Sequence, residues 1–291
     1  MNLQEIDARF LRENPLPLPE KDGDKQERGR VLIIAGSAEI PGAALLSALG
    51  ALRAGAGILQ IATCKSVASH LGMAMPEAMV VGCRETPDGG IDAEDVERLK
   101  ELASECDAVL IGPGMVDPPA VGKLTRTLLQ CVKRPAFVLD AVAFTCLRDD
   151  PMSRTRSNIV ATPHAGEMAN FFSVSRDLIA AKPLDYAVRA SASINGVVAL
   201  KGAKTHIASP QGRAWLCDHG SIALATSGSG DTLAGILAGL LARGALPELA
   251  TQWAVYAHGE AGRRLARHGP YGVLAREIPG EIPGILQELA G

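Results

Sequence analysis

A run of small residues with one acid, SGSGD at 227–231, stands directly ahead of an apolar, helix-like stretch, TLAGILAGLLA. The carboxylate of Asp231 could simply cap that helix, because an acid at a helix start accepts from the free N–H groups there. A site that brings phosphate to the helix start and uses the acid as a base would need the same residues, since glycines let the backbone close on an anion. The rest of the chain has to separate these two interpretations.

Further candidate residues directly follow short apolar runs that are typical of strands. They lie in five segments: GSAEIPGAA, IGPGM, LDAVAF, ATPHAGE and LKGAKT. In open α/β sheets, ligands bind beyond the carboxyl ends of the strands. Each segment alone is a weak signal, because Gly-Pro-Gly is usually a turn and Lys-Gly a strand end. Together they predict one site at one edge of a sheet.

The elements that must position these residues alternate between strand and helix. The strand-like runs are VLIIAGS, GILQIAT, EAMVVGC, DAVLIGPG, PAFVLDA and SNIVATP, and the helix-like runs between them are PGAALLSALGALRAGAG, DAEDVERLKELASE and AVGKLTRTLLQCV. This alternation predicts an α/β fold with a largely parallel central sheet and helices on both faces. Beyond it we expect a helix near 175–194, a small antiparallel hairpin region near 196–217, and helices at about 230–243, 248–267 and 273–289.

The first 29 residues differ from the rest, being charged and spaced by prolines, so we expect an N-terminal extension at 1–29 and a single domain at 30–291. The N-terminus has no apolar core of a signal peptide. The six cysteines form no C-x-x-C pair. Both observations favour a cytoplasmic protein with reduced thiols.

Composition argues against several partners. A net charge of −3 and an aromatic content of 3% leave no basic or stacking surface for nucleic acid. The apolar stretches are shorter than the roughly 20 residues of a membrane span. Neither a Walker motif nor G-x-G-x-x-G after the first strand is present, which disfavours a P-loop enzyme and an ordinary dehydrogenase.

Taken in order, the motifs resemble those of the ribokinase-like superfamily and, within it, the ADP/ATP-dependent NAD(P)H-hydrate (NAD(P)HX) dehydratases. The resemblance spans about residues 30 to 290. The G-x-G-D turn of the superfamily is matched at 228–231, and the narrower family's PGAALL, GPG, TPHPGE and LKG…T are matched at 41–46, 112–114, 162–167 and 200–205. TPH.GE is the most discriminating of these. Ala165 replaces the second proline of that motif, and Val142 replaces a frequent second acid in DAVAF. The epimerase domain that some members carry is not found in 1–29.

The resemblance implies an enzyme that repairs NADHX and NADPHX. ADP or ATP would phosphorylate the 6-hydroxyl, and loss of phosphate would restore the dihydronicotinamide. Magnesium, a preference for ADP and a homotetramer are implied as well. Asp231 would be the catalytic base and, with Ala43, Gly114 and His164, would contact the substrate. The nucleotide would lie along Lys201, Gly202, Ala203, Lys204 and Thr205 and would meet Gly228, Ser229 and Gly230.

Each candidate also has a simpler structural interpretation. Lys201 could be a lysine at a hairpin strand end, and His164 could be a structural histidine ahead of a helix. Asp140 could hold magnesium through water or cap a helix. Glu167 is interpreted only as a first-turn acid, and the segment 258–269 only as a solvated basic helix face.

Two other functions share these motifs in part. A small-molecule kinase of the same superfamily, acting on a hydroxymethylpyrimidine or thiazole alcohol, would share G-x-G-D but would not need TPH.GE. A non-catalytic nucleotide-binding regulator could keep the fold, although it would have no use for the acid at Asp231. Fold alone does not separate these three functions.

Overall fold

A ten-stranded sheet runs through the protein, whose computed structural model describes residues 3–18, 24–148, 158–269 and 271–290. Its strands are β1 (Leu3–Glu5), β2 (Arg30–Ile34), β3 (Ile58–Cys64), β4 (Ala78–Cys83), β5 (Ala108–Ile111), β6 (Ala136–Leu139), β7 (Ile159–Ala161), β8 (Val197–Leu200), β9 (Thr205–Ala208) and β10 (Ala214–Cys217). They are arranged in the order β1-β10-β9-β8-β7-β6-β5-β2-β3-β4. From β8 to β4 all neighbours are parallel, whereas β9 is antiparallel to both β8 and β10.

Helices cover the sheet. They are α1 (Ala8–Glu13), α2 (Gly42–Arg53), α3 (Lys65–Ala74), α4 (Val96–Ser104), α5 (Pro118–Cys131), α6 (Ala141–Thr145), α7 (Ala165–Phe172), α8 (Arg176–Ala181), α9 (Pro183–Ile194), α10 (Ser229–Ala242), α11 (Pro247–Leu265) and α12 (Ile278–Ala290). In the described part of the chain, none of them is long and apolar enough to span a membrane.

The sheet has a hydrophobic core on each side. In β2, Val31 and Ile33 face the core shared with α2, α10, α11 and α12, whereas Leu32 and Ile34 face the core shared with α4 to α9. Successive side chains of a strand point to opposite faces, so a strand covered on both faces must be apolar throughout. The predicted α/β class, with helices on both faces and an antiparallel region near 196–217, is confirmed.

Some elements differ from those predicted. The single helix expected near 175–194 is two helices, α8 and α9, because Pro183 opens α9 and has no N–H to continue the preceding helix. Helix α3 was not predicted, since Leu71 is its one fully buried residue and its pattern is correspondingly weak. Strand β1 and helix α1 were not predicted either.

The segment assigned to an extension ahead of the domain contributes to the sheet and to the core. Strand β1 pairs in parallel with β10, and Ile6 and Leu11 are buried. The indole N–H of Trp253 in α11 donates to the carbonyl of Asn14 at 2.8 Å. Residues 3–14 therefore cover the outer edge of the sheet, while the division at residue 29 stays a prediction.

Helices α2 and α10 cross in close contact. A Cβ placed on Gly235 or Gly239 would collide with the backbone of α2 at Ser47 or Ala51. Across the same contact, the hydroxyl of Ser47 donates to the carbonyl of Asp231 at 3.0 Å. The glycines of TLAGILAGLL thus let α10 approach α2, and this approach sets where the first turn of α10 lies.

Candidate functional site

The predicted residues meet at one edge of the sheet. Asp140 directly follows β6, His164 lies just beyond β7, and Lys201 directly follows β8. The chain around His164 runs parallel to that around Lys201, and the Lys201 N–H donates to the carbonyl of Pro163 at 2.8 Å. Because these strands are parallel neighbours, their carboxyl ends bring together residues that are far apart in sequence.

Helix α10 begins at this edge with a glycine turn. Gly228 is its N-cap residue and has a left-handed backbone, with φ +85°. A Cβ on Gly228 would collide with Leu46, and one on Gly230 would lie 3.1 Å from the ammonium nitrogen of Lys201. The backbone conformation therefore requires glycine at 228, whereas a side chain at 230 would press on the ammonium group of Lys201. The turn leaves the first N–H groups of α10 without a side-chain cap.

Asp231 does not cap the helix. It is the third residue of α10, and among the described residues its carboxylate has no hydrogen-bond partner. Its pKa is raised to about 6, chiefly by burial and also by the nearby carboxylates of Asp140 and Glu167, while the charge of Lys201 opposes these effects. A carboxylate that is half-buried, unbonded and titrates near neutral pH has the properties of a general base.

Lys201 lies among these carboxylates. Its ammonium nitrogen is 2.8 Å from Oδ1 of Asp140, and its side chain is 18% exposed. Burial alone would lower its pKa, but Asp140, Glu167 and Asp231 raise it, so the net direction is upward. Lys201 is therefore a half-buried, charged lysine beside the first turn of α10, and not a fully exposed one.

His164 and Glu167 cap α7 together. Nδ1 of His164 accepts from the N–H groups of Gly166 and Glu167 at 2.9 and 3.1 Å, and Glu167 accepts from the His164 N–H at 2.7 Å. The structural interpretation of His164 as a helix-start residue is thus realised. Because Nδ1 accepts, the ring proton sits on Nε2, and the side chain is 58% exposed. The ring therefore caps α7 through Nδ1, while its Nε2 faces Oε1 of Glu167 at 3.3 Å. Burial raises the pKa of Glu167.

A cavity of about 610 Å³ opens beside the start of α10. Predicted residues that line it are Lys201, Gly202, Ala203, Thr205, Ser229, Gly230 and His164. The described structure places Lys204, Gly228 and Asp231 outside this lining. Lys204 instead pairs with Asp218 at 2.6 Å, and both side chains are exposed. The deeper wall is apolar, with Leu224, Leu233 and Val255, which suits a planar, weakly polar group.

Ala43 and Gly114 contact each other. Gly114 has φ +63°, and a Cβ on it would approach Ala43 Cβ and the carbonyl of Ile40. The smallness of both residues is therefore needed for the packing of the α2 start against the loop after β5. Ala43 is 3% exposed, and neither residue lines the described cavity. Their predicted contact with substrate stays a prediction.

Asp140 occupies the N-cap position of α6, but its side chain makes no capping hydrogen bond. Its Oδ1 accepts from both Thr162 Oγ1, at 2.7 Å, and Lys201 Nζ. Across the described residues, no cluster of three or more His, Cys, Asp or Glu could hold a metal ion. Within the described ranges, the second carboxylate oxygen of Asp140 has no partner, so it could accept from a magnesium-bound water, and that role stays a prediction.

One wall of the cavity is formed by residues that the sequence did not indicate as part of a site. His258 and Gly259 begin the segment interpreted as a solvated basic face, yet His258 is 8% exposed and both residues line the cavity. The basic residues that suggested the solvated face, Arg263 and Arg264, lie one to two turns later on α11. The loop 219–226, which supplies much of the remaining wall, carries no pattern that would have identified it.

Comparison with known proteins identifies the family. A family model described as NAD(P)H-hydrate dehydratase matches residues 31–284. An ADP-dependent (S)-NAD(P)H-hydrate dehydratase of Xanthomonas campestris is 46% identical over 286 residues, which is 98% of this chain and 96% of that protein. A bifunctional NAD(P)H-hydrate repair enzyme of Moorella thermoacetica is 37% identical, and the match spans about half of its length, 52%.

A solved structure agrees with these relatives. The ADP/ATP-dependent NAD(P)H-hydrate dehydratase of Bacillus subtilis, co-crystallised with ATP and Mg²⁺ and soaked with coenzyme A, superposes with a TM-score of 0.80 at 30% identity. The match covers 99% of this chain and 100% of that one. With the site at the carboxyl edge of the sheet and these full-length similarities, the chain belongs to the NAD(P)H-hydrate dehydratase family.

Proposed function

We propose that this chain is a nucleotide-dependent (S)-NAD(P)H-hydrate dehydratase, a hydro-lyase that repairs NADHX and NADPHX. Asp231 takes the proton of the 6-hydroxyl while that oxygen attacks the terminal phosphoryl group of ADP or ATP, releasing AMP or ADP. The ring nitrogen's lone pair then expels phosphate from C6, and loss of a proton from C5 restores the dihydronicotinamide. Hydroxide leaves poorly, whereas phosphate leaves readily, so the transfer is what makes the elimination feasible.

The observation that carries this proposal is the state of Asp231. Its carboxylate has no partner among the described residues, burial raises its pKa to about 6, and it stands in the first turn of a helix whose N–H groups are uncapped. A base for the acceptor hydroxyl and donors for the transferring phosphoryl group thus lie in the same helical turn. A structural cap would instead be bonded to the N–H groups.

The nucleotide is proposed to occupy the cavity beside α10. Its base would contact the apolar wall, and its phosphates would run past Lys201, Gly202, Ala203 and Thr205 to Ser229 and Gly230 at the helix start. The Gly230 N–H would donate there, whereas the Ser229 N–H already donates to the carbonyl of Thr226 at 3.3 Å. Lys204 and Gly228 would not touch the nucleotide. Lys204 would contribute its positive charge, and Gly228 would allow the backbone turn that starts α10. In support, the Bacillus subtilis relative was co-crystallised with ATP and Mg²⁺.

The substrate is proposed to enter on the other side of Asp231, over Gly114 and Ala43. His164 would donate from Nε2 to its phosphate or carboxamide, because Nδ1 is already used in capping. The ligand would then share or replace the contact of Nε2 with Oε1 of Glu167 at 3.3 Å. Magnesium would come with the nucleotide, held by the phosphates and by water on Asp140, and would neutralise charge on the phosphoryl group. We also propose a cytoplasmic homotetramer, which light scattering on the purified chain would test.

The vitamin-precursor kinase is the second candidate function. It would use the same base and the same helix start, and it would stop after phosphorylating its alcohol. The TPH.GE segment argues against it, because His164 and Glu167 are built into the site and the family model covers most of the chain. A non-catalytic regulator would not explain why the carboxylate of Asp231 has no hydrogen-bond partner among the described residues.

The deciding experiment follows the absorbance of the dihydronicotinamide band after the chain is added to acid-hydrated NADH with Mg²⁺ and ADP, ATP or no nucleotide. Nucleotide-dependent recovery is expected, and Asp231→Asn should lose about 100- to 10,000-fold of it. The variant should still bind nucleotide in calorimetry, since Asp231 lies outside the cavity lining. No recovery from folded chain with either nucleotide would overturn the proposal, and phosphorylation of thiazole or pyrimidine alcohols would then support the kinase.

A further inference from the structure

His258 of α11 and Ser229 of α10 are joined by two short contacts. Nε2 of His258 lies 3.0 Å from the carbonyl oxygen of Ser229 and 3.0 Å from its hydroxyl oxygen. Both residues are buried, at 8% and 5% exposure, and both line the cavity. Apolar residues of both helices also pack in the common core, so the two helices are held by more than these contacts.

The protonation of His258 follows from its partners. Its pKa is lowered to about 4, chiefly by burial and also by the charge of Lys201, although the hydrogen bond to the Ser229 backbone raises it, so the ring is neutral and carries one proton. A carbonyl oxygen can only accept, so a ring nitrogen 3.0 Å from it must be the one that carries the proton. The lone pair of an unprotonated Nε2 would instead repel the lone pairs of the carbonyl oxygen. Nε2 is therefore the donor.

The direction of the Ser229 hydroxyl follows in turn. A protonated Nε2 has no lone pair, so the hydroxyl oxygen can only accept from it, and the hydroxyl proton is left for another acceptor. Among the described residues, Ser229 Oγ has no other partner. Ser229 lines the cavity, as Lys201 and Gly230 do, so a ligand bound in that cavity can accept this proton.

We infer that Ser229 is a catalytic residue whose hydroxyl donates to the phosphoryl group being transferred, and that His258 is the positioning residue that fixes the direction of this donation. The inference rests on the proposed function and extends it, because it adds a side-chain donor to the backbone N–H groups at the same helix start. A phosphoryl oxygen gains negative charge during transfer and is the strongest acceptor that such a cavity would receive.

The kinetic test is a double-mutant cycle on kcat with ADP and NADHX. Ser229→Ala and His258→Leu should each lower kcat by about 10- to 100-fold, the range for losing a hydrogen bond to a charged group. The double variant should have the same kcat as Ser229→Ala, because His258 acts only through the Ser229 hydroxyl and has no further effect once that hydroxyl is removed. Ser229→Thr and His258→Gln keep the donors and should stay within about threefold of the parent. Additive losses in the double variant would overturn the inference.

A second measurement needs no turnover. In the ¹⁵N-labelled free chain, the imidazole shifts of His258 should show a protonated Nε2 and a bare Nδ1 between about pH 6 and 8. The opposite tautomer would overturn the inference even if the chain repairs NADHX. If the chain fails to repair NADHX but shows this tautomer, the proposed function has failed and the hydrogen-bond assignment stands. Should His258→Leu not fold, equal kcat losses in Ser229→Ala and Ser229→Thr would overturn the catalytic role.

Discussion

The ammonium group of Lys201 and the carboxylate of Asp140, 61 residues apart in the chain, form a largely buried ion pair with 2.8 Å between Nζ and Oδ1. Their side chains are 18% and 4% exposed. The pair fixes the ammonium group beside the first turn of α10, close to Gly230. A charge at this point can act on the phosphoryl group and on Asp231 at once.

Removing one partner of this ion pair should lower the free energy of unfolding more than removing both partners. Asp140→Ala leaves a buried ammonium group without its bonded carboxylate and should lower the free energy of unfolding by about 3–5 kcal/mol. Asp140→Ala combined with Lys201→Met should lose clearly less, because no charge is left unpaired. Urea unfolding of the parent, Asp140→Ala, Lys201→Met and the double variant gives the coupling free energy between the two side chains. Strict additivity would mean that the pair contributes nothing as a pair.

The pH dependence of repair should report the pKa of Asp231. A base with a pKa of about 6 is protonated at lower pH, so kcat/KM should fall about tenfold per pH unit below that value. Lys201 lowers this pKa and Glu167 raises it. The acid limb should therefore move to higher pH in Lys201→Met and to lower pH in Glu167→Gln. Shifts of the same sign in both variants would show that charge is not the cause.

The same carboxylate should cost stability at neutral pH. Because its folded pKa lies above the ordinary 3.8, the folded state holds its proton more tightly than the unfolded chain does. The contribution to stability is then full below about pH 4 and is lost as the pH rises through about 6. Asp231→Asn should raise the free energy of unfolding by about 1–3 kcal/mol at pH 8 and leave it nearly unchanged at pH 4. A gain that is equal at both values would contradict this origin.

The crossing of α2 and α10 should tolerate no added methyl group. Gly235→Ala would press a Cβ into the Ser47 backbone and should cost about 1–3 kcal/mol of stability, with a loss of activity because α10 carries Asp231. Gly280→Ala is the matched control, since it lies in α12, is exposed, and has open space at its Cβ. It should stabilise by about 0.5–1 kcal/mol through helix propensity. Thermal unfolding compares the two, and equal effects would remove steric crowding as the explanation.

The sequence alone determined the fold class, the strands that end at the site and the loops that follow them. Local residue patterns carry that information. A strand buried on both faces must be apolar throughout, and a turn that binds phosphate must consist of residues with small side chains. Thus β2, β5, β6 and β8, and the helix that starts at the glycine turn, were predicted near their observed bounds. The family followed from the motifs at those places.

Only the tertiary structure decided which of those residues act on one another. That Lys201 pairs with Asp140 rather than with solvent, and that Asp231 is left without a cap, depends on where distant strand ends meet. The same holds for β1 at the outer edge of the sheet and for His258, whose basic neighbours suggested a solvated face although its own side is buried. The physical reason is common to all of these. Burial and charge depend on contacts made across the fold, and no local pattern of residue types encodes those contacts.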